Sequence, residues 1–210
     1  PNQPGIASNL RATRTVTDDS DQLLLRGDQN IGDKIRLNVR YNWFDNELSQ
    51  LEAIPSSGIS QPRVNKNTLV SHTHTLSPTL HNDFRIGYHR LDFNTLNQFH
   101  VNGQSDSGTA LGIPGFNGDT KYNNPGLPSV NVSTFSGLGV ANSNWYQFDT
   151  TFQASYVLAW NHGSHNVRTG FDLRRLATGR QAANDPRGLF NFTGDISGYS
   201  MADFMLGLPR

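Results

Sequence analysis

Cysteine, long apolar runs and net charge are all missing from this chain of 210 residues. Without cysteine, neither a disulfide framework nor a thiolate metal site can form. No apolar run approaches the roughly 18 residues of a transmembrane helix, so the sequence contains no candidate for one. The 17 acidic and 17 basic residues balance. This balance argues against an electrostatic nucleic-acid binder, because such proteins carry a basic stripe that neutralises phosphates.

Glutamate and lysine are also scarce. The chain has two glutamates and three lysines, against 22 asparagines, 20 glycines and 14 arginines. Strong helix formers other than leucine, alanine and arginine are therefore scarce while turn formers are abundant, and a helical protein is not expected. The sequence has no nucleophile elbow, phosphate-binding glycine loop, HExxH motif or carboxylate pair at a strand end. We therefore predict no catalytic residues, no cofactor and no enzymatic activity.

Alternation of apolar and polar residues with period two is the dominant pattern. Such a segment forms a β-strand with one apolar and one polar face. For the interrupted segment at about 67–76, the sequence does not show which face of the strand carries Val70, His72 and His74. Clear alternation occurs at residues 35–43, 83–89, 148–160 and 167–174, and interrupted alternation at about 21–28 and 67–76.

The links between these segments alternate between short and long. Tight turns at one end and long loops at the other are typical of an outer-membrane β-barrel, whereas a soluble sandwich normally has short links at both ends. The fold class we predict is all-β, an antiparallel up-and-down meander of six or seven strands of a transmembrane barrel. The short links lie at residues 29–34, 76–80 and 161–165, and the long ones at about 44–64, 93–144 and 177–187.

Strand length and aromatic placement agree with that fold. About ten residues at roughly 3.3 Å each, tilted near 45°, span about 23 Å, close to the ~25 Å apolar band of such barrels. Aromatic residues recur near strand ends, where interfacial girdles lie. They are Tyr41, Trp43 and Phe44 at one long-loop end, Trp145 and Tyr146 at another, and Trp160 at a short-turn end.

Two shorter elements are expected near the end of the chain. Residues 189–192 predict a short extended segment, and residues 200–206 predict a helical turn capped by Ser200, with Asp203 at its third position. The loop at 93–144 is rich in Gly, Asn, Ser and Pro but also in aromatic and aliphatic residues. We therefore expect an ordered loop rather than a free linker.

Six or seven strands are too few for a closed membrane barrel, since the smallest known ones have about eight. An open sheet would leave two unpaired edges in hydrocarbon. We therefore interpret residues 1–210 as one partial β-barrel domain of a longer protein, whose plug, N-terminal domain and closing strands lie elsewhere.

Seven short motifs follow one another over nearly the whole chain, at residues 21–28 (DQLLLRGD), 40–43 (RYNW), 75–88 (TLSPTLHNDFRIGY), 111–115 (LGIPG), 126–130 (GLPSV), 165–172 (HNVRTGFD) and 202–209 (ADFMLGLP). None of them is a catalytic signature. As an ordered set they resemble the barrel of the Oar-like TonB-dependent outer-membrane transporters, a group that contains carboxypeptidase-regulatory-like domains.

The resemblance implies a segment of a plugged barrel of about 22 strands in the cell outer membrane. Such proteins take up large or scarce substrates with energy that TonB passes from the inner membrane. The implied partners are outer-membrane lipid, the TonB system acting through the plug, and a substrate of unknown identity. No plug or TonB box is recognised in these residues, so energy coupling stays an expectation.

Arginine recurs at the polar positions of the alternating strands. If these positions face the barrel interior, their guanidinium groups could guide a substrate or hold the plug through bidentate contacts. Asp83, Asp149 and Asp172 are the expected cross-strand partners. The alternative is a solvated wall whose charges only pair with one another. The candidate substrate-binding residues are Arg36, Arg40, Arg85, His89, Arg168, Asp172 and Arg174.

The histidines raise the question of a metal site. His72 and His74 would share one face of a strand, and His81 and His89 lie on the next strand. Metal sites need roughly three or four converging ligands, usually with carboxylate support. No third ligand is defined here, so no metal site is predicted.

The function we predict is part of a TonB-dependent receptor, with two alternatives open. A passive porin-like channel would use the same alternation, and a plug and TonB box in the full-length protein would decide against it. A secreted β-sandwich adhesin or carbohydrate-binding module is the other alternative. That module would be indicated if the isolated chain were soluble as a compact monomer.

Overall fold

A computed structural model describes residues 3–4, 11–52, 58–103, 112, 125–139 and 144–210. In this part of the chain, six long strands form one sheet and two short strands form another. The elements are β1 (Arg14–Ile31), β2 (Ile35–Glu52), β3 (Ile59–Ser77), β4 (Leu80–Asn97), α1 (Gln98–Val101), β5 (Ser129–Val132), β6 (Trp145–His162), β7 (His165–Gln181), β8 (Leu189–Phe192) and α2 (Ser200–Leu206).

The large sheet is an antiparallel up-and-down meander in the order β1-β2-β3-β4-β6-β7. The all-β fold class and the meander are therefore confirmed. The described sheet is open, with β1 and β7 at its edges. We refer to these six long strands as the wall.

The strands are longer than the alternation indicated. β2 continues to Glu52 and β3 begins at Ile59, so the link predicted at about 44–64 shrinks to residues 53–58. β1 likewise begins at Arg14 rather than near residue 21. The hydrogen bonds of a ladder join backbone groups. Pairing therefore continues past the point where the side chains stop alternating.

Each short link is a tight turn. The turns occupy residues 32–34, 78–79 and 163–164, inside the three predicted short links. Gly32 and Gly163 both have a φ of +58°, a left-handed conformation that a Cβ would strain. Left-handed residues give the twist that tight hairpins need, so glycine at these two positions lets the wall turn within a few residues.

Register divides the wall into an apolar face and a polar face. Residues paired across neighbouring strands point to the same side. Val39 pairs with Val70, Val70 with Ile86, and Ile86 with Ala154. The apolar face carries Leu23, Leu25, Ile35, Leu37, Val39, Tyr41, Trp43, Val70, Phe84, Ile86, Tyr88, Phe152, Ala154, Tyr156, Leu158, Trp160, Val167, Phe171 and Leu173.

The same register shows which face of β3 carries Val70, His72 and His74, a point that the sequence left undecided. His72 pairs with Leu37 on one side and Phe84 on the other. His72, His74 and Val70 therefore lie on the apolar face, because residues two apart on a strand share a side.

The aromatic residues predicted to form girdles divide between the two faces. Trp43 lies on the apolar face and Phe44 on the polar face, and Tyr146 and Trp145 divide in the same way. Adjacent residues of a strand point to opposite sides. Placing Phe44 and Trp145 in a girdle on the apolar face was therefore wrong.

The small sheet joins two distant parts of the chain. β5, from the long loop, pairs in parallel with β8, and Phe192 of β8 meets Phe204 of α2 edge to face at 5.2 Å. The predicted extended segment and helix are confirmed. We call residues 125–139 and 182–210, which contain β5, β8 and α2, the cap.

The predicted role of Ser200 as helix cap is wrong. The N-cap of α2 is Tyr199, without a capping side-chain bond, and the Ser200 hydroxyl donates to the Ser133 carbonyl at 2.8 Å. The Asp203 carboxylate accepts the backbone N–H groups of Gly194 at 2.9 Å and Ser197 at 2.8 Å. These side chains join separate loops of the cap instead of closing one helix end.

Buried residues concentrate in the cap and at the long-loop end of the wall. Among the described residues, neither α1 nor α2 has the length or hydropathy of a membrane-spanning helix. The buried residues include Phe99, Val132, Phe192, Ser60, Thr95, Asn97, Gln98, Ser129, Asn144, Arg187 and Asp203.

Candidate functional site

All seven candidate residues lie on the polar face of the wall, on β2, β4 and β7. Arg85 and Asp172 are both paired with Ser155 of β6, which places them about 10 Å apart across two strand spacings. Arg40 and Arg174 share another row, four spacings or roughly 19 Å apart. The structure thus brings the β4 and β7 candidates together and leaves those of β2 as a separate group.

Gln153 joins the two charged candidates of β7. Its Nε2 donates to Asp172 Oδ2 at 2.8 Å, and its Oε1 accepts from the Arg174 guanidinium at 3.1 Å. The amide therefore links an acid and a base that lie two residues apart on the same side. Only its polar position in an alternating segment marked Gln153 in the sequence.

Asp83, Asp149 and Asp172, the carboxylates predicted to pair with arginine across strands, form no such ion pair in the described residues. Arg85 forms an ion pair with Asp83 of its own strand at 2.7 Å, and the Thr73 hydroxyl donates to Asp83 at 3.0 Å. The predicted cross-strand partnership with arginine is therefore wrong. Register supplies the reason, because the positions opposite Asp83, Asp149 and Asp172 hold Thr, Val, Leu or Ser.

Arg40 and Arg168 form no ion pair within the residues that the structure describes. Arg40 lies opposite Arg26, whose guanidinium is bound by Asp28 at 2.7 Å. Arg36 donates to Asn30 Oδ1 at 3.3 Å. The guanidinium groups of Arg40 and Arg168 are thus available to an anion that approaches the polar face.

His89 lies on the polar face diagonal to Asp149 of β6, close enough for an electrostatic attraction to that carboxylate. Its neighbours across the two ladders are Asn67 and Thr151, so no carboxylate lies directly opposite its ring. The imidazole therefore has hydrogen-bonding side chains directly opposite it and one carboxylate diagonal to it.

A continuous stack of four side chains crosses the long-loop end of the polar face. The Arg63 guanidinium lies 4.7 Å from the centroid of the Phe93 ring, and Phe93 meets Trp145 edge to face at 4.8 Å. Arg180 completes the stack, 4.7 Å from the Trp145 ring. We call these four residues the rim ladder. Each comes from a different strand, so no local sequence pattern marked it.

One end of the rim ladder retains an unused donor. Nε of Arg63 is buried and has no hydrogen-bond partner among the described residues, although the guanidinium also donates to Gln61 at 3.5 Å. Leaving a charged donor without a partner is costly.

Buried amide side chains tie the two ends of the long loop together beside the rim ladder. The Gln98 side chain forms two hydrogen bonds with the Glu52 backbone, at 2.9 and 2.8 Å. The Asn97 backbone N–H donates to Asn144 Oδ1 at 2.7 Å, and the Asn97 side chain donates to the Pro125 carbonyl at 3.0 Å. These bonds hold the two ends of the long loop at the C-terminal end of β4 and the N-terminal end of β6.

Arg187 anchors the cap. Its side chain is buried, and Nε donates to the Leu127 carbonyl at 3.0 Å. Burial lowers the pKa of this guanidinium, and nearby Asp185 opposes that effect. The group remains charged, because arginine titrates far above neutral pH.

No group of three or more metal-ligating side chains occurs in the described part of the chain. His72 and His74 lie on the apolar face, whereas His81 and His89 lie on the polar face. The sheet therefore separates the two histidine pairs that the sequence brought to attention.

Comparison with protein families indicates what each face of the wall contacts. The chain matches the family model for the outer membrane beta barrel domain over residues 1–210. A comparison with curated proteins finds no match. The chain belongs to the outer membrane beta barrel domain family and is located in the outer membrane. In such barrels the apolar face meets lipid and the polar face lines the interior.

Proposed function

We propose that this outer-membrane β-barrel chain is part of a TonB-dependent receptor that takes up a large or scarce substrate. The observation that carries the proposal is the concentration of arginine on the interior face, including groups without ion-pair partners in the described strands. A plug inside the barrel would offer the carboxylates and carbonyls that such donors need. The arginines of this face are Arg14, Arg26, Arg36, Arg40, Arg63, Arg85, Arg168, Arg174 and Arg180.

The height of the wall supports the proposal. A strand of 18 residues such as β2, at about 3.3 Å per residue and a tilt near 45°, spans about 42 Å along the membrane normal. The apolar band of such barrels is only about 25 Å tall. The excess lies at the long-loop end, because the apolar positions of β2 end at Trp43. The wall therefore forms a raised entrance.

The rim ladder and the cap give this entrance a chemical character. Phe93 and Trp145 present ring surfaces, and Arg63 and Arg180 present guanidinium groups beside them. In the proposed receptor these side chains meet the substrate first, and Arg36, Arg40 and the candidates on β4 and β7 contact the plug or line the passage. The resemblance of the ordered motifs to Oar-like transporters points in the same direction.

Conductance of the full-length protein in a planar bilayer tests the proposal, together with its binding to the purified periplasmic domain of TonB. A plugged receptor stays closed and binds TonB. Steady open conductance without TonB binding would overturn the proposal.

Paired substitutions on β2 test the interior arginines. We expect Arg36→Ala with Arg40→Ala to weaken hydrogen-exchange protection of the plug in the full-length receptor, because the plug loses charged donors. Asn38→Ala with Asn42→Ala, on the same strand and face, is the matched control. Unchanged plug protection and unchanged uptake in the arginine variant would show that these residues only solvate the wall.

A passive porin-like channel is the second candidate, and one observation favours it. Arg26 and Asp28, and likewise Arg85 and Asp83, neutralise each other along single strands, as expected for a solvated pore wall. The conductance experiment separates the two candidates. The secreted sandwich has no comparable support, because the family is an outer-membrane one.

A further inference from the structure

On the apolar, lipid-facing side of the wall, lysine and arginine are confined to two neighbouring rows of residues, and therefore to one narrow range of height along the membrane normal. Of the twelve such residues on the long strands, only Lys66, Arg90 and Arg175 lie on the apolar face. Lys66 and Arg90 are direct partners across β3 and β4. Arg175 pairs with Phe152 one row nearer the short turns. This grouping on three strands is far narrower than the spread of arginine over the interior face.

That level is the outer edge of the apolar band. Lys66 is the ladder partner of Trp43, the last apolar residue of the alternating part of β2. Between this row and the short turns, the apolar face of the six strands holds no lysine, carboxylate or further arginine beyond Arg175. The next rows toward the long loops carry carboxylates instead. These are Asp21, Asp45 and Asp92, followed by Asp19 and Glu47.

The three cations differ in how firmly they are held. Asp92 binds the Arg90 guanidinium with two hydrogen bonds of 3.0 and 2.7 Å, and the same guanidinium lies 4.9 Å from the Phe148 ring centroid. Lys66 and Arg175 are exposed and have no ion-pair partner in the described residues. Like charges directly opposite each other destabilise a sheet, so an anion beside Lys66 and Arg90 would relieve an unfavourable contact.

We propose that Lys66, Arg90 and Arg175 bind the phosphate of a glycolipid headgroup in the outer leaflet of the outer membrane. Short turns face the periplasm and long loops the exterior in such barrels, which places the three cations in the outer leaflet. The anionic groups of a membrane lie at the edge of its hydrocarbon layer, at the level of these side chains. Two strand spacings, about 10 Å, separate Arg90 from Arg175, so one headgroup can contact all three strands.

The carboxylate rows select a membrane lipid over a soluble anion. A free phosphate coming from the exterior along the wall must pass the five carboxylates before it reaches the cations. A lipid phosphate approaches sideways within the leaflet and avoids them. The site therefore belongs to a lipid, and it does not depend on whether the barrel is TonB-coupled.

Native mass spectrometry of the full-length protein in detergent tests the site, with lipid A and dephosphorylated lipid A as probes. The variant is Lys66→Gln with Arg175→Gln, which leaves the Arg90–Asp92 pair intact. Its matched control is Arg40→Gln with Arg168→Gln, which removes the same charge from the opposite face. Heat-modifiable migration shows that each variant has assembled, and Lys66→Gln alone serves if the double variant does not assemble.

We expect the double variant to bind lipid A about 30-fold more weakly, because each cation near a membrane surface contributes about 1 kcal/mol. The control should bind as the unmodified protein does, dephosphorylated lipid should bind weakly, and millimolar inorganic phosphate should not compete. Equal binding of lipid A by variant and unmodified protein would overturn the site, as would an equal loss in the control. Competition by inorganic phosphate would overturn the assignment to a lipid.

Discussion

The wall and the cap place their apolar side chains in different surroundings. On inner strands of the wall, Val39 and Phe152 are 40% and 38% exposed, whereas Val132 and Phe192 in the cap are 5% and 6% exposed. The chain belongs to an outer-membrane β-barrel family, so lipid covers the apolar face of the wall. The cap lies outside the band and buries its own small core, as a water-soluble domain does.

Polar groups follow the same division. In the wall, backbone ladders join neighbouring strands, and the side-chain ion pairs are exposed or half-buried. In the cap, Asp203, Arg187 and Ser200 bind backbone groups of other segments. The comparison teaches that the wall is stabilised in lipid and the cap in water. A substitution that destabilises one of these regions should therefore leave the other folded.

The largest effect is expected from Phe192→Ala in the cap. This buried ring packs against Phe204 at 5.2 Å, and removing such a ring from a core costs about 3–5 kcal/mol. Urea-dependent proteolysis of the full-length protein should show early cleavage in the cap. Leu189→Ala, at an exposed position of β8, is the control. Loss of heat-modifiable migration in the Phe192 variant would show that cap and wall are not separable.

A charge in the middle of the apolar band should disturb the wall alone. We expect Val39→Arg to destabilise the barrel by about 2–4 kcal/mol, because the lipid face tolerates arginine poorly at mid-depth. Asn38→Arg, one residue away on the interior face, should have little effect. The assembled fraction in outer membranes measures both variants. Similar losses would mean that the two faces do not have different surroundings.

Acid should weaken the cap through Asp203. Hydrogen bonding by the Ser197 side chain lowers the pKa of this carboxyl most; burial opposes that effect, and backbone N–H groups lower the pKa further. With a folded-state pKa below the unfolded value of about 3.9, Asp203 stabilises the cap fully above about pH 4. This stabilisation is lost as the pH falls through the folded-state pKa.

Hydrogen exchange at the Gly194 and Ser197 amides measures this pH dependence. We expect protection in the unmodified protein to fall as the pH drops below about 4 and passes through the folded-state pKa of Asp203. Asp203→Asn should reduce protection at neutral pH and remove the acid-dependent step. A step of unchanged size in the variant would assign it to another group.

The smallest effect is expected in the rim ladder. A double-mutant cycle of Trp145→Leu and Arg180→Gln should give a coupling of about 0.5–1 kcal/mol in the free energy of unfolding, the usual size of an exposed cation–π contact. The pair joins β6 and β7 of the wall. Purely additive effects would show that the 4.7 Å contact does not stabilise the wall.

Alternation was enough to predict the meander and to place the seven candidate side chains on one face, because period two is what separates the faces of a strand. It could not predict the strand ends, since beyond Phe44 the pattern stops while backbone pairing continues. Nor could it predict partners. The contacts of Asp172 with Gln153 and of Arg63 with Phe93 depend on register between strands, which no single segment encodes.

The structure of the cap was harder to predict from patterns within single segments of the sequence. β5 and β8 pair across about 60 residues of chain, and this pairing depends on where the long loop is held. The extended segment at 189–192 was visible as an apolar run, but its partner was not. The buried anchors Asn97, Gln98 and Arg187 carried no signal, because asparagine, glutamine and arginine are common throughout this chain.

Single-cysteine scanning along β2 tests most directly whether the two faces of the wall have different surroundings. The chain has no cysteine of its own, so each position from Ile35 to Trp43 in the full-length protein, kept free of other cysteines, can carry one label in turn. Odd-numbered positions should be quenched by a lipid-soluble nitroxide, and even-numbered positions, Arg36 to Asn42, should react with a water-soluble thiol reagent. Uniform labelling, or the opposite phase, would contradict the account.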